Sequence, residues 1–318
     1  MLRLSHEPAD TLTAVSTPNL DVVIVAYRCR ELLRRCLASL RAHPASGKMT
    51  IHVIDNASGD GTVEMVRQDF PEVRLVASHR NLGFSSASNL GIRKGEAPFV
   101  LCLNPDTRVT DGALNDLLEL MASHSEIGIC GCRLELEDGT IDHAGKRSFP
   151  TPLSSLGHFT GIGRRRDSGP LAAYRAPEVS RGPVDAVNGA FMLCRRSALD
   201  EVGLFDEGFW MYMEDLDLCY RFAQAGWVTW YEPTATVIHV KAGTSGPARS
   251  PRLNYAFHYG MLRFYRKHYA RRRSGVTNAV VYCGIALKLT ASVLRNAASA
   301  LDRRMRAVRV EVTSARAR

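Results

Sequence analysis

The sequence has neither the cysteine pattern of a zinc site nor that of a disulfide framework. Its 8 cysteines are scattered through 318 residues, mostly inside apolar runs, and no two of them form a CxxC pair. Such cysteines are typical of buried thiols in a reducing compartment. The first 20 residues contain Glu7 and Asp10 and no apolar core like that of a signal peptide. We therefore expect a cytoplasmic protein with a loose leader over residues 1–20.

The sequence also lacks a glycine-rich turn after its first strand-like run. That run, Asp21–Ala26, continues into Tyr27-Arg28-Cys29-Arg30. A dinucleotide-binding oxidoreductase needs glycines there to admit a pyrophosphate. A nucleotidyltransferase would show a glycine-rich loop that contains lysine. The sequence disfavours both of these enzyme classes.

Acidic residues are scarce at the C-terminal end. The whole chain carries a formal net charge of +9, but residues 263–318 contain 14 Lys and Arg against 2 Asp and Glu, which leaves residues 1–262 mildly acidic. Positive charge confined to one segment indicates an anionic partner for that segment only. A non-enzymatic protein that binds nucleic acid through this tail is an alternative, which we disfavour.

The basic tail has the pattern of an amphipathic helix. Arg263, Arg266 and Lys267 alternate with aromatic residues, and Val280, Leu287 and Leu294 then recur every seven residues. Lys288 interrupts this apolar stretch before the ~20 apolar residues that a membrane crossing requires. We expect residues 251–318 to form a basic amphipathic helical extension that binds an anionic membrane surface reversibly. A helix packed on the catalytic domain and a homodimerisation helix are the alternatives.

The N-terminal half alternates strand-like and helical segments. Asp21–Ala26, Met49–Asp55, Val73–Ala77 and Phe99–Leu103 are short β-branched or apolar runs, and the segments between them have helical spacing. This alternation predicts a parallel sheet of an α/β fold, which binds ligands beyond the carboxyl ends of its strands. Later strands are predicted at 184–187, 190–194, 228–231 and 235–240, with a helix from about 216 to 225.

Four groups of polar residues lie near the ends of these elements. Asp55 opens a polar turn to Thr62 and could accept an imide N–H from a pyrimidine, although an ordinary turn explains it equally. Asn104-Pro105-Asp106 offers a carboxylate to a divalent cation, or is a simple turn. Glu214-Asp215-Leu216-Asp217 suits a general base, or a charged helix N-terminus. A lone histidine usually has a structural role. If the fold brings His239 beside Asp106, however, its imidazole could complete the ligand shell of Mn²⁺ or Mg²⁺.

In this order, seven short motifs resemble those of the family-2 glycosyltransferases, in particular the bacterial rhamnosyltransferase-like branch. They span residues 21 to about 245. The motifs are Val23–Tyr27, Ile54–Thr62, Arg80–Phe84, Asn104–Asp106, Val187–Phe191, Gly203–Glu207 and Glu214–Arg221. Each motif is weak alone, and seven in register are strong.

The resemblance implies a GT-A fold over residues 21–250, a Rossmann-like mixed sheet flanked by helices, followed by the helical extension over 251–318. The residues that it implies for the nucleotide sugar are Ala26, Tyr27, Asp55, Arg80, Asn81, Gly83 and Asn104. Asp106 would be the metal-binding aspartate of the family's DxD element, here Asn-Pro-Asp, and His239 would join it on Mn²⁺ or Mg²⁺. Asp215 would be the catalytic base, and Glu214 would orient the acceptor.

The activity implied is inverting transfer of a sugar from a nucleotide diphosphate to a hydroxyl of a lipid-linked or polysaccharide acceptor. By resemblance the donor is dTDP-rhamnose, with UDP-linked hexose, galactofuranose or GlcNAc as alternatives. The setting implied is cell-envelope glycan synthesis at the inner face of the plasma membrane. We expect no nucleic-acid partner.

Overall fold

The computed structural model describes residues 19–150, 180–240 and 250–316, with side chains up to residue 298. The predicted leader at 1–20 lies almost wholly outside these residues. In the described part of the chain, nine strands form one mixed sheet. Their order across the sheet, by residue range, is 74–77, 49–55, 20–26, 99–103, 191–195, 127–135, 228–239 and 107–109, and the strand at 182–183 pairs with the one at 228–239. Two further strands, at 146–147 and 186–187, form a small antiparallel sheet.

The first half of the sheet is the parallel α/β unit predicted from the sequence. Its elements are β1 Leu20–Ala26, α1 Arg30–Ala42, β2 Met49–Asp55, α2 Thr62–Asp69, β3 Arg74–Ala77, α3 Phe84–Ile92 and β4 Phe99–Leu103. The register sets Ala26 opposite Asp55 and Asp55 opposite Ala77. The carboxyl ends of these strands therefore lie at one edge of the sheet.

The second half adds strands of both directions. Its elements are β5 Thr107–Val109, α4 Ala113–Ser123, β6 Ile127–Glu135, β7 Lys146–Arg147, β8 Gly182–Pro183, β9 Ala186–Val187, β10 Phe191–Arg195, α5 Arg196–Val202, α6 Glu214–Gln224 and β11 Val228–His239. β10 runs antiparallel to β4 and to β6, and β11 runs parallel to β6. This confirms the predicted mixed sheet flanked by helices.

Two features of the sheet differ from the sequence prediction. β6 was not predicted, because Gly128 and Gly131 weaken its strand pattern; a Cβ on Gly131 would lie 2.5 Å from Val187, so glycine is required by close packing. The two predicted strands at 228–231 and 235–240 are one strand, β11, with a register shift between Glu232 and Thr236. A bulge of this kind bends a strand and interrupts its apolar pattern.

Helices cover both faces of the sheet. On one face, α1 packs through Leu33, Cys36, Leu37 and Leu40, none of which is more than 1% exposed. Their i, i+3, i+4 and i+7 spacing places them on one stripe of the helix. The other face is covered by α3, α5 and α6. Seven of the eight cysteines are buried and all eight are free thiols, as predicted; Cys283 is exposed.

The C-terminal extension is helical, as the sequence predicted, and consists of two helices. α7 spans Pro251–His268 and α8 spans Gly275–Arg316. Tyr265 donates a hydrogen bond of 2.7 Å to the side chain of Asn278, and Ser292 donates one of 2.9 Å to that of Asn254. These contacts fold the two helices into a hairpin. Phe264 of α7, 1% exposed, belongs to the core beneath α6.

α8 is more apolar than expected from the sequence. The stretch Gly275–Ala298 has 24 residues, and an 18-residue segment within it has a mean hydropathy of 1.4, with 6% of that segment buried. By length and composition this stretch is able to cross a membrane. The stretch reaches the length and hydropathy of a membrane-spanning helix although it contains Lys288, which differs from the prediction. Length and composition fit a helix on the surface equally well.

Candidate active site

Backbone strain is concentrated at one place in the fold. In the described part of the chain, the non-glycine residues with left-handed φ are Arg28, Ala57, Tyr212 and Met213. Arg28 and Ala57 follow the ends of β1 and β2, and the other two immediately precede α6. Each such residue costs about 1–3 kcal/mol and persists only where its surroundings enforce it. Strain of this kind commonly marks a functional site, and here it borders the residues singled out from the sequence.

Asp55 lies at the end of β2 with a side chain that is 3% exposed. Its Oδ2 accepts a hydrogen bond of 3.2 Å from the amide of Ser58. Its Oδ1 is buried and has no hydrogen-bond partner within residues 19–150, 180–240 and 250–316. A buried carboxylate oxygen without a donor is costly unless a ligand supplies one. This geometry fits the predicted role of Asp55, which stays a prediction.

Asn56, which the sequence analysis did not single out, organises the neighbouring loop. Its Oδ1 accepts the amide of Leu82 at 2.7 Å, and its Nδ2 donates to Oδ1 of Asn81 at 3.2 Å and to the carbonyl of Gly83 at 3.1 Å. Asn81 also accepts the Gly83 amide at 2.9 Å. The loop between β3 and α3 is thereby fixed against the end of β2. The only sequence signal for this role was that Asn56 is a polar residue within the motif Ile54–Thr62.

Gly83 has a positive φ of 85° and lies against Trp210. A Cβ at this position would come within 2.5 Å of both the Trp210 ring and its carbonyl oxygen, so glycine is required. The Trp210 carbonyl accepts the amide of Phe84 at 2.7 Å. The segment before α6 therefore touches the loop before α3.

The remaining residues predicted for the nucleotide lie at the same edge of the sheet. The Ala26 carbonyl accepts the amide of Asn56 at 2.8 Å. Tyr27 is 37% exposed, with the guanidinium of Arg28 5.4 Å from its ring centre. Arg80 is exposed, and its backbone amide and carbonyl bond to the Ser78 hydroxyl. The contact of Arg80 with the nucleotide sugar stays a prediction.

Asp106 and His239 are brought together by strand pairing. β5 begins directly after Asp106 and pairs with β11 so that Thr107 lies opposite His239. Oδ1 of Asp106 lies 3.6 Å from Nε2 of His239. Both side chains are nearly buried. The sequence prediction that these two residues could share a site is therefore geometrically sound.

Asp142, which the sequence analysis missed, lies on the other side of the imidazole. Its Oδ2 is 3.2 Å from Nδ1 of His239, and its Oδ1 accepts the Ala144 amide at 3.0 Å. Burial would lower the pKa of His239, but its hydrogen bonds to Asp106 and Asp142 outweigh burial and raise the pKa to about 9. No signal in the sequence connects residues 97 positions apart.

This arrangement fits a divalent cation held by few protein atoms. A metal-binding histidine typically uses one ring nitrogen for the metal and donates the other N–H to a carboxylate, which is the relation of Asp142 to His239. The residues described by the structure contain no group of three or more His, Cys, Asp or Glu arranged to hold an ion. Asp106 and His239 would thus supply two ligands, and a diphosphate or water would supply the others.

Asp215 is the second residue of α6, and both of its oxygens accept hydrogen bonds. Oδ2 accepts from the guanidinium of Arg147 in β7 and from the Gly189 amide at 3.1 Å, and Oδ1 accepts from the Leu216 amide at 2.8 Å. A carboxylate offers about four lone-pair positions. One position on Oδ1 is therefore left for an incoming hydroxyl. Arg147 is a residue that the sequence analysis missed, since β7 is only two residues long.

Glu214, the first residue of α6, has a different environment. Its side chain is buried, and its Oε2 has no hydrogen-bond partner in the described part of the chain. Burial, followed by repulsion from Asp215, raises the pKa of Glu214 to about 8. Glu214 therefore favours its protonated form more strongly than an exposed carboxyl does, and the adjacent Asp215 is ion-paired with Arg147. Paired carboxyls with different environments are typical of acid–base chemistry.

Asp217, the third carboxylate of this cluster, is structural. It is fully buried and binds Arg221 of its own helix together with Lys267 and His268 of α7. Burial would raise the pKa of Asp217, but hydrogen bonds from His268 and Lys267 lower it. It therefore anchors the C-terminal hairpin to α6.

Two of the basic residues expected at an anionic surface are used inside the molecule. Arg263 and Lys267 bind Asp206 at 2.8 Å and 2.7 Å, and Lys267 also reaches Asp217. Arg266 and Arg271–Arg273 are exposed. Acidic partners from the catalytic domain therefore pair with Arg263 and Lys267, and the contact of these two residues with an anionic surface stays a prediction.

The sites on the two halves of the sheet are connected through the turn between β9 and β10. The Asn104 amide donates to the Ala190 carbonyl at 2.9 Å, and the adjacent Gly189 amide donates to Asp215. The loop that carries Asp106 and the start of α6 therefore share one short turn. Asp55, Asp106 with His239, and Glu214 with Asp215 line one side of the sheet.

Comparisons with known proteins agree with this geometry. The family model described as Glycosyl transferase family 2 matches residues 21–203. An N-acetylglucosaminyl-diphospho-decaprenol L-rhamnosyltransferase of Mycobacterium tuberculosis is 35% identical over 257 residues, which cover 76% of this chain and 82% of the relative. The rhamnosyltransferase WbbL of Escherichia coli is 25% identical over 225 residues, which cover 69% of this chain and 82% of the relative.

Solved structures share the fold at low identity. The mannosyltransferase PcManGT from Pyrobaculum calidifontis, in complex with GDP-Man and Mn²⁺, has a TM-score of 0.57 and 15% identity, and the match covers 90% of this chain and 76% of that one. GalNAc-T7 with UDP, GalNAc and Mn²⁺ has a TM-score of 0.58 and 16% identity, covering 79% and 48%.

Proposed function

Since the chain belongs to glycosyl transferase family 2, in its rhamnosyltransferase-like branch, and has the GT-A fold, we propose that it transfers L-rhamnose from dTDP-rhamnose with inversion. The proposed acceptor is a hydroxyl of a lipid-linked N-acetylglucosaminyl diphosphate in cell-envelope glycan synthesis. The relative at 35% identity, named for such a transfer, supports this choice. UDP-linked hexose, galactofuranose and GlcNAc are the alternative donors.

One observation carries the proposal. Three groups of residues lie at the edge of the sheet where its parallel strands end. They are Asp55, which has a carboxylate oxygen without a hydrogen-bond donor in the described residues, the two-residue cation site of Asp106 and His239, and the carboxyl pair of Glu214 and Asp215. A nucleotide-sugar transferase needs these three functions: recognition of the base, charge neutralisation at the diphosphate, and removal of a proton from the acceptor.

The residues divide the reaction between them. The acceptor hydroxyl donates to the remaining position on Oδ1 of Asp215, which takes the proton as the hydroxyl oxygen attacks the anomeric carbon. The bond from that carbon to the diphosphate oxygen breaks on the opposite face, and the diphosphate leaves with the electron pair. Glu214 holds its proton at neutral pH and donates a hydrogen bond that orients the acceptor. A divalent cation held by Asp106 and His239 would neutralise charge on the diphosphate.

Thermal unfolding with sugar nucleotides tests the donor class. The purified protein is mixed with dTDP-rhamnose, UDP-glucose, UDP-galactose, UDP-GlcNAc or GDP-mannose, with and without Mn²⁺. A ligand at 100 times its Kd adds about 2.7 kcal/mol to the free energy of unfolding. We expect the largest shift with dTDP-rhamnose and Mn²⁺, and no metal-dependent shift in Asp106→Asn. No shift with any donor contradicts the proposal.

The membrane is proposed as a second partner. α8 exposes Val276, Val280, Leu287 and Leu294, each at least 58% exposed, and it follows the exposed run Arg271–Arg273. Apolar side chains beside exposed cations suit an anionic lipid surface. We expect the protein to float with anionic vesicles and to be released by high salt. Retention at high salt would indicate a spanning helix, and no flotation would favour a homodimer or a hairpin that stays in water.

A further inference from the structure

Helix α7 contacts both the segment before α6 and the first turn of α6. Near its N-terminal end, the guanidinium of Arg252 lies 4.1 Å from the ring centre of Trp210. In its middle, the Phe257 ring meets Tyr212 edge to face, with centres 5.8 Å apart. At its C-terminal end, His268 binds Asp217 at 2.7 Å. The helix therefore lies against both flanks of the Glu214–Asp215 pair.

At Gly260 the backbone of α7 comes close to the backbone before α6. A Cβ built on Gly260 would lie 2.9 Å from the carbonyl oxygen of Tyr212 and 3.1 Å from Cγ of Met213. Only glycine lets the helix approach a backbone carbonyl this closely. Tyr212 and Met213 are the two consecutive left-handed residues, with φ of 70° and 72°. Glycine on the helix thus faces the strained pair directly.

The strained pair needs an external support. Two adjacent non-glycine residues rarely adopt left-handed φ, and they persist only when packing enforces it. The next two residues are Glu214 and Asp215, so the direction in which α6 begins depends on this turn. The contacts from Phe257 and Gly260 are the support that α7 gives to it.

We propose that α7 is a positioning element of the active site, in which Gly260 seats the Tyr212–Met213 turn and thereby sets the position of Glu214 and Asp215. Gly260 acts through the Tyr212–Met213 turn and is therefore a positioning residue. The functional unit accordingly extends to His268, beyond the boundary at residue 250 predicted from the sequence. The kinetic part of the test rests on the proposed glycosyl transfer.

Gly260→Ala is the direct test, and Gly275→Ala is its matched control. Gly275 begins α8, and a Cβ at this position would have no atom within 4 Å. Alanine favours a helix more than glycine does, so neither change weakens its own helix. A displacement of ~1 Å at a reacting group can cost about 100-fold in rate. We expect Gly260→Ala to lower kcat by about 10- to 100-fold with donor KM within about twofold, and Gly275→Ala to match the wild type.

Hydrogen exchange gives a readout that does not need the activity. We expect the peptide covering residues 209–218 to exchange faster in Gly260→Ala and to be unchanged in Gly275→Ala. Phe257→Leu removes the ring contact with Tyr212 and leaves Gly260 in place. It should lower kcat several-fold, again with little change in donor KM, and it decides the matter alone if Gly260→Ala does not fold.

Three outcomes overturn the proposal: unchanged kcat in the folded variants, faster exchange without loss of kcat, or equal losses of kcat and donor affinity. The last would indicate a general loss of structure. A wild-type protein that transfers sugar from no donor would instead count against the proposed function. In that case exchange in Gly260→Ala, compared with Gly275→Ala, still tests whether α7 holds the turn.

Discussion

Arg147 and Asp215 form a nearly buried ion pair between two elements that lie 68 positions apart in the sequence. The pair joins the two-residue strand β7 to the first turn of α6. It explains how two adjacent carboxyls acquire different chemistry, since Asp215 is paired with a cation and Glu214 forms no ion pair within the described residues. This difference and the cation site determine how substitutions at the site should behave.

Asp215→Asn removes the proposed base without changing the shape of the side chain. General-base catalysis contributes about 100- to 10,000-fold to a rate, so kcat should fall by that range while stabilisation by the donor persists. The control is Asp200→Asn, an exposed acid of α5, which should leave kcat unchanged. Comparable losses of donor affinity and turnover would argue against the role of Asp215.

Arg147→Gln should destabilise the protein by about 3 kcal/mol, because it leaves the Asp215 charge nearly buried without its partner. Adding Asp215→Asn should recover most of that loss, since the uncompensated charge is then gone. Urea unfolding of the two single variants and the double variant gives the coupling energy. Additive losses would mean that Arg147 stabilises the fold independently of Asp215.

Glu214→Gln should change how stability depends on pH. The pKa of Glu214 rises from its ordinary value of 4.5 to about 8 in the folded protein, so the native state binds more protons than the unfolded state between these values. The free energy of unfolding therefore falls as pH rises through this window. Glutamine does not titrate, so the free energy of unfolding of the variant does not fall in this way. Between pH 5 and pH 8 the variant should therefore become more stable relative to the wild type by more than about 1 kcal/mol.

Urea unfolding at several pH values measures that gain. Asp217→Asn is the control: hydrogen bonds from His268 and Lys267 lower the pKa of Asp217 from its ordinary value of 3.8 despite its burial. The Asp217 contribution is fully present above that pKa and is lost only as pH falls below it, so between pH 5 and pH 8 the Asp217→Asn variant should lose a constant free energy of unfolding relative to the wild type. Parallel pH curves for Glu214→Gln and the wild type would contradict the environment assigned to Glu214.

Asp142→Asn tests the support of the cation site. Loss of the carboxylate that fixes a metal-binding histidine typically costs about 10- to 100-fold in metal affinity. The Mn²⁺ concentration needed for stabilisation by the donor should rise by that factor. Asp138→Asn, an exposed acid in the same loop, should titrate like the wild type. An unchanged Mn²⁺ requirement in Asp142→Asn would remove Asp142 from the site.

The sequence predicted the parts of the fold and site that depend on local pattern. The strands ending at Ala26, Asp55 and Leu103 are apolar runs bounded by polar turns, and the residues after them carry the motifs. The pairing of Asp106 with His239 was anticipated only as a condition, since it depends on β5 and β11 meeting in one sheet.

What the sequence did not predict depends on contacts between distant segments. Asp142 and Arg147 lie in short, irregular stretches with no periodic pattern, and each acquires its role from a partner far along the chain. β6 was missed because its glycines serve the packing of Phe222 and Val187. The sequence likewise does not reveal that Asp206 pairs with the basic residues Arg263 and Lys267.

The most direct test is to incubate the protein with dTDP-rhamnose, Mn²⁺ and a polyprenyl-diphosphate GlcNAc, and to determine the anomeric configuration of the product by NMR. We expect one rhamnose on a GlcNAc hydroxyl, with an anomeric configuration opposite to that of rhamnose in the donor. We also expect much less product from Asp215→Asn. Transfer with retained configuration, or wild-type rates in Asp215→Asn, would contradict single displacement with Asp215 as the base.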